Sequence, residues 1–289
     1  MRFIKHNSTG KHQFCGAPRN FILLKAIFIG LSTFLIVSCV TEPVTGDSAL
    51  VLTSLSQEKE LGSKAWGEVL AKHTEIRDTD STRTLRDVAT SIVEQTEMKD
   101  LDWEFALLDS ETKNAFALPG GKIAVYQGMF QTFRNTAELA AVLGHEVAHV
   151  TARHGGQRLT LSLGENLVLQ SVGMYLKGTL SPDRQNLLLT ALGLGAQVGL
   201  NMPFSRSHES DADYIGLIYM ARAGFHPQAA IDFWTSFGST PPIPEFLSTH
   251  PHPSSRVEGL KKHMPEAMQV YRSHSQSKGY GEPLAETVL

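Results

Sequence analysis

Cysteine is almost absent from this 289-residue chain, which has only Cys15 and Cys39. A disulfide framework or a thiolate metal site is therefore excluded from everything beyond residue 39, and any metal there must be held by His and carboxylate. Basic charge is also scarce once the start is set aside. Residues 1–38 hold Arg2, Lys5, Lys11, Arg19 and Lys25 and no acid, leaving 21 basic against 29 acidic residues, a net of −8, for the remainder. That sign excludes a nucleic-acid partner, whose affinity would come from neutralised phosphates. No apolar run reaches a comfortable bilayer span: Ala26 to Val37 is twelve residues and Asn186 to Leu200 is fifteen, the latter interrupted by polar side chains.

What is present at the start reads as an export signal. The basic stretch, the short apolar run and the sequence Ile36-Val37-Ser38-Cys39 resemble a bacterial lipobox, in which the peptide is cut before a cysteine that carries lipid. Residues 1–38 are then a signal peptide and Cys39 the lipidated N-terminus. Val40 after it points by resemblance to the outer membrane, facing the periplasm. Residues 39–56, with Pro43, Gly46 and small polar side chains, read as a tether. A folded body spans 57–265, and residues 266–289 carry no assigned feature.

The body has a mixed pattern. Helices are expected from Ser56 and over Thr84 to Met98, by their apolar spacing. Around Trp103 the period shortens, and Asn114 to Gly128 shows two apolar runs about Pro119-Gly120-Gly121, a hairpin signature. About three strands follow from this reading. From Thr136 the chain is helical again. Asn135 and Glu138 form a capping-box pattern, and Gly155-Gly156 are expected to stop that helix near His154. Residues 186–200 read as a buried core helix. The fold class is α+β, mainly helical, with a small sheet or hairpin beside a central helix.

That helix holds the chemistry. His145-Glu146-Val147-Ala148-His149 is an H-E-x-x-H element. Residues four apart share a helix face, so both imidazoles can reach one ion while Glu146 sits beside the ion's water. The surrounding Leu139, Val142, Leu143, Val147 and Val150 make solvated polar side chains improbable there. Two histidines leave a catalytic zinc one protein ligand short. His154, five residues on from His149, is expected at the exposed end of the helix. The extended pattern H-E-x-x-H-x-x-G-x-x-H fails, because Ala152 and Gly155 stand where it needs Gly and His. The remaining source is a second helix, Ser205 to Gly224, on which Glu209 and Asp213 lie four apart. Glu209 can complete a His2Glu set, and Asp213 can accept from the outward nitrogen of a ligating histidine.

H-E-x-x-H followed by E-x-x-x-D, preceded by "NAFALPGG" and followed by "STHPHPSSR", resembles the zinc gluzincin endopeptidases that include the CAAX prenyl proteases, HtpX and the Oma-type proteases. The start and "EPVTGDSALVLTSLSQEKELG" are most similar to the periplasmic lipoprotein branch of the β-barrel-assembly-enhancing protease. The resemblance covers about residues 41 to 260. It implies a zincin-like metallopeptidase domain holding one zinc ion through His145, His149 and Glu209, with Glu146 as general base. It also implies that His250 supports the oxyanion or fills the open zinc position in a latent enzyme. His252 is a rival for that role, and Arg256 either builds the loop or pairs with Asp213. Substrate is expected to add as a strand along Asn114, Ala115, Phe116 and Ala117 to Leu118, or along Lys122 to Tyr126. By the same resemblance the partners are unfolded or misassembled envelope proteins, the membrane through the N-terminal lipid, and outer-membrane assembly machinery. The competing reading is a zinc-containing periplasmic chaperone or assembly factor with latent proteolysis.

Overall fold

The computed structural model describes residues 39–162, 204–237, 246–250, 253–274, 278–280 and 284. The expected signal peptide, the expected helix at 186–200 and His252 lie outside them. The chain divides into two compact units, Met1–Cys39 and Val40–Leu289, and apart from the first residue of the first strand the elements below belong to the second.

A short ribbon of β1 (Cys39–Thr41) and β2 (Ser48–Leu50) precedes α1 (Leu55–Lys72). The expected tether is in fact packed down. Val51 is buried, the Leu52 amide donates to Thr160 Oγ1 at 2.8 Å, and the Thr53 carbonyl accepts from Arg153 at 2.6 Å. Helix α1 is capped by Ser54, whose hydroxyl accepts from the Gln57 amide while the Gln57 side chain accepts from the Ser54 amide. The start signal thus sits two residues before the expected Ser56. After β3 (Glu75–Ile76) comes α2 (Asp80–Val93), capped by Thr79 and shorter at its end than the expected Met98. Its buried stripe is Leu85, Val88, Ile92 and Val93, as the spacing requires.

Strands β4 (Glu104–Leu108), β5 (Ala115–Leu118) and β6 (Lys122–Tyr126) join β3 in one sheet of order β3-β4-β6-β5. The expected hairpin is β5–β6, with Gly120 and Gly121 at φ 83° and 91°. β6 then inserts parallel to β4, pairing Leu107 with Val125, which leaves β5 on the outer edge. Alternation assigns the two faces. Leu107, Ala115, Ile123 and Val125 join the main core, whereas Ala106, Leu108 and Ala124 pack with Trp66 of α1. The sheet is therefore covered by α1 on one face and by the helical core on the other.

After α3 (Gln127–Phe130) comes α4 (Thr136–Thr151), which is buried from Ala137 to Thr151. Asn135 accepts from the Glu138 amide at 3.0 Å, but the Glu138 carboxylate turns to the amide and guanidinium of Arg134, so the capping box is only half made. Helix α5 (Arg206–Arg222) crosses α4 at Gly144 and Gly216, where a Cβ on either glycine would lie within 3 Å of the other helix's backbone. Helices α6 (Gln228–Phe237), α7 (Phe246–Thr249) and α8 (Pro253–Ser273) complete the core. The start of the expected featureless tail, 266–273, is helical, and Lys278 bridges to Phe225. The result is an α+β, zincin-like domain, mainly helical with a small sheet. No helix among the described residues is long and apolar enough to cross a membrane.

Candidate metal centre

Helices α4 and α5 and the residue after α7 bring four side chains to one point. His145, His149, Glu209 and His250 each aim a donor atom into a common space, and none is more than 3% exposed. His145 Nε2 lies 3.0 Å from His149 Nε2, 3.2 Å from His250 Nδ1 and 3.5 Å from Glu209 Oε2. Glu209 Oε1 lies 3.4 Å from His149 Nε2 and 3.0 Å from His250 Nδ1. Zinc bonds of about 2.0–2.2 Å place tetrahedral donors roughly 3.3–3.6 Å apart, so the set has the dimensions of a four-coordinate site.

The neighbours of the outer nitrogens allow the matching tautomers, with Arg256 Nη2 also lying 2.8 Å from His145 Nδ1. The Nδ1 of His145 sits 3.1 Å from Asp213 Oδ1, and the Nδ1 of His149 sits 2.9 Å from the Nδ1 of His154. With each Nδ1–H donating outward, both Nε2 lone pairs face inward against one another, an arrangement that a cation between them makes favourable. Burial holds His145 and His149 well below the usual imidazole range, and hence neutral, as metal ligands must be.

Glu146 is fully buried, and neither carboxylate oxygen has a hydrogen-bond partner of normal geometry. Its Oε1 lies 3.6 Å from His250 Nε2. Burial pushes this carboxyl up to about 7, while His250, Arg256 and, most weakly, the Ala117 amide of β5 oppose the rise. Asp213 is likewise raised to about 6 by burial against the pull of Arg256. Arg256, 3% exposed, grips Asp213 with Nε at 2.9 Å and Nη2 at 2.5 Å and lies 3.5 Å above the Trp234 ring. Of the two arrangements expected for Arg256, the ion pair with Asp213 is the one present.

His154 departs from its expected place at an exposed helix end, being 1% exposed. Helix α4 ends at Thr151, Arg153 takes φ 54°, and the chain is helical again over 154–162. Arg153 is held in that conformation by Glu58 and the Thr53 carbonyl. The break turns His154 back onto His149. Gly155 and Gly156 therefore stop nothing. They lie inside the next helical stretch, where a Cβ on Gly156 would sit 2.2 Å from Glu58 Oε1.

Asn114 to Ala117 lie at and along the edge strand β5, beside the centre: Ala117 and Leu118 share a narrow cleft with His149, Arg158 and Phe204. The alternative edge, Lys122 to Tyr126, is ruled out, because β6 is paired on both sides. Phe204 and Arg158 belong to none of the sequence motifs. The Phe204 ring stacks on His149 at 3.8 Å, and the Arg158 guanidinium lies 3.8 Å over that ring. The one sequence signal for Arg158 is that it stands four residues after His154 on one helical face, and Phe204 has none.

A sequence profile of peptidase family M48 matches residues 79–264, more than half of the chain and all four converging side chains. The chain belongs to this family. It thus carries a metallopeptidase domain. Among curated relatives, the mitochondrial metalloendopeptidase OMA1 of Schizosaccharomyces pombe is 34% identical over 231 residues, 77% of this chain and 65% of that protein. The human OMA1 metalloendopeptidase is 29% identical over 270 residues, 84% of this chain and 51% of that protein. The beta-barrel assembly-enhancing protease of Yersinia pestis is 31% identical over 227 residues, 76% and 46% respectively. The chain spans between about half and two thirds of the length of these relatives.

Proposed function

We propose that this M48 member is a zinc-dependent endopeptidase of the bacterial cell envelope that cleaves unfolded or misassembled envelope proteins. The observation that carries the reading is the convergence of His145, His149 and Glu209 beside a buried, unpartnered Glu146. Those three side chains would hold zinc, which when bound would supply a Lewis acid to polarise the scissile carbonyl and to make water nucleophilic near neutral pH. Glu146 takes the water's proton and returns it to the leaving amine, a role suited to a carboxyl whose burial draws it toward neutral pH. Asp213 and His154 fix the tautomers of His145 and His149, and Arg256 supplies the charge that lets Asp213 stay buried. His250, the fourth side chain of the cluster, would either support the oxyanion or occupy the open position in a latent enzyme. An extended substrate pairs with the free edge of β5 along Asn114 to Ala117.

The envelope address rests on the lipobox pattern at Cys39, which is exposed, and on a relative named for β-barrel assembly. Membrane attachment through lipid on Cys39 and contact with outer-membrane assembly machinery follow on that reading. The closed set of four donors favours one rival, a zinc-stabilised chaperone or assembly factor with latent proteolysis.

The decisive measurement is zinc content together with casein cleavage. One zinc per chain is expected, with cleavage abolished by a chelator and restored by zinc. Chelator-resistant cleavage would sink the proposal. Zinc-loaded protein that cleaves neither casein nor an unfolded porin, yet suppresses porin aggregation, would establish the rival.

The role given to His154 has its own consequence. His154→Ala is expected to weaken zinc binding about 10–100-fold, read by competition with a chromogenic chelator. His154→Asn, which restores an acceptor oxygen, recovers part of the loss; equal affinities in all three proteins would remove His154 from the centre.

A further inference from the structure

Arg158 holds no metal and moves no proton in the reaction, yet it lines the narrow cleft between the end of β5 and His149. Among the described residues that line this cleft, three are charged: Glu58, Arg153 and Arg158. Glu58 and Arg153 cancel, since Arg153 Nη2 meets Glu58 Oε1 at 2.6 Å. The cleft is left with one positive charge, that of Arg158. This side chain is half-buried, and its guanidinium carbon lies 3.8 Å from the centre of the Phe204 ring, which itself stacks on His149 at 3.8 Å. The quadrupole of an aromatic face attracts a cation placed over it, so the charge is held one ring away from a metal ligand. Burial draws the Arg158 guanidinium down to about 10, and the Glu146 and Glu209 carboxylates oppose the fall. It therefore stays charged at neutral pH.

The sheet decides which part of a substrate would meet this charge. Ala117 packs with the main core, whereas Phe116 and Leu118 pack with Trp66 on the opposite face. A strand added to the edge of β5 sets the residue opposite Ala117 on the same face as Ala117, whichever way the strand runs. Ala117 lines the cleft, and its amide is close enough to Glu146 to act on that carboxyl. One substrate side chain near the scissile bond is thus directed to a wall whose net charge is positive, and its complement is a carboxylate. We propose that Arg158, steadied on Phe204, selects substrates with aspartate or glutamate at the position that pairs opposite Ala117. The inference rests on the peptidase reading and on strand addition to β5.

The test uses the full zinc-loaded chain and internally quenched peptides that are identical except that each position around the cut carries either Glu or Gln. At one position, fixed in its distance from the cut, Glu is expected to raise kcat/KM about tenfold or more over Gln. Arg158→Gln should erase that preference, Arg158→Lys should keep part of it, and Arg158→Glu should turn it toward Lys at the same position. Binding of fluorescein-labelled versions to the zinc-loaded Glu146→Gln chain, read by anisotropy, should rank the peptides in the same order without hydrolysis. The proposal is overturned if the wild type cleaves Glu and Gln peptides alike at every position, or if Arg158→Gln keeps the preference. Binding that favours Glu through Arg158 in a chain that cleaves nothing would count against the peptidase reading and uphold the role of Arg158. A chain that cleaves nothing and binds both kinds alike would overturn both.

Discussion

Glu146→Gln is expected to lower peptide hydrolysis about 10²–10⁴-fold while one zinc per chain stays bound. The substitution keeps the size of the side chain and leaves His145, His149 and Glu209 intact, so metal content and fold should not change. What is lost is the buried carboxylate that lies beside the donor set and is placed to accept a proton from water. Glu146 suits that task because it is fully buried, makes no hydrogen bond of normal geometry, and sits 3.6 Å from the nearest His250 nitrogen. The amide also lightens the burial cost of a carboxylate, so the variant should be no less stable than the wild type. The measurement pairs zinc analysis with initial rates on casein. A variant that keeps its zinc and cleaves at the parental rate would show that another group carries the proton. Loss of zinc in the variant would mean that Glu146 shapes the metal site itself.

The parts legible in the sequence are those with a fixed local period. His145 and His149 share a face because four residues make about one helical turn, and the same arithmetic pairs Glu209 with Asp213 on the second helix. The hairpin about Gly120 and Gly121 follows from glycine's freedom at positive φ. The inward turn of His154 is hidden from sequence because its cause is tertiary. The helix breaks at Ala152 and Arg153, where no glycine or proline stands, and Glu58, nearly a hundred residues earlier, holds the strained arginine. The glycines that look like a stop serve instead as places where Pro119 and Glu58 approach closely. The sheet has one strand more than expected for a similar reason: β3 is two residues long, too short to show any alternation, and exists because β4 offers it an edge. The parallel insertion of β6 beside β4 leaves no local signature at all, yet it decides that β5 lies at an edge of the sheet.

The tightest constraint on the centre comes from two residues without side chains. A Cβ on Gly216 would lie 2.7 Å from the Gly144 carbonyl carbon and 2.7 Å from the His145 amide nitrogen. Both are backbone atoms of α4, so no rotamer can relieve the contact and α5 must move away. Glu209 and Asp213 ride on α5, one reaching the donor set and the other His145, so separating the helices pulls the site apart. Gly216→Ala gains about 1 kcal/mol of helix propensity and loses about 1–3 kcal/mol to overpacking. The net expectation is a fall in stability together with weaker zinc binding, and Gly216→Val should exaggerate both. Gly259 on α8 provides the opposite case, since nothing lies within 4 Å of its virtual Cβ. Gly259→Ala should therefore stabilise by up to about 1 kcal/mol and leave zinc affinity unchanged. Urea unfolding and chelator competition on the same set of variants separate the two effects. If Gly216→Ala matched Gly259→Ala on both measures, the close crossing of α4 and α5 would not be what holds Glu209 against the histidines.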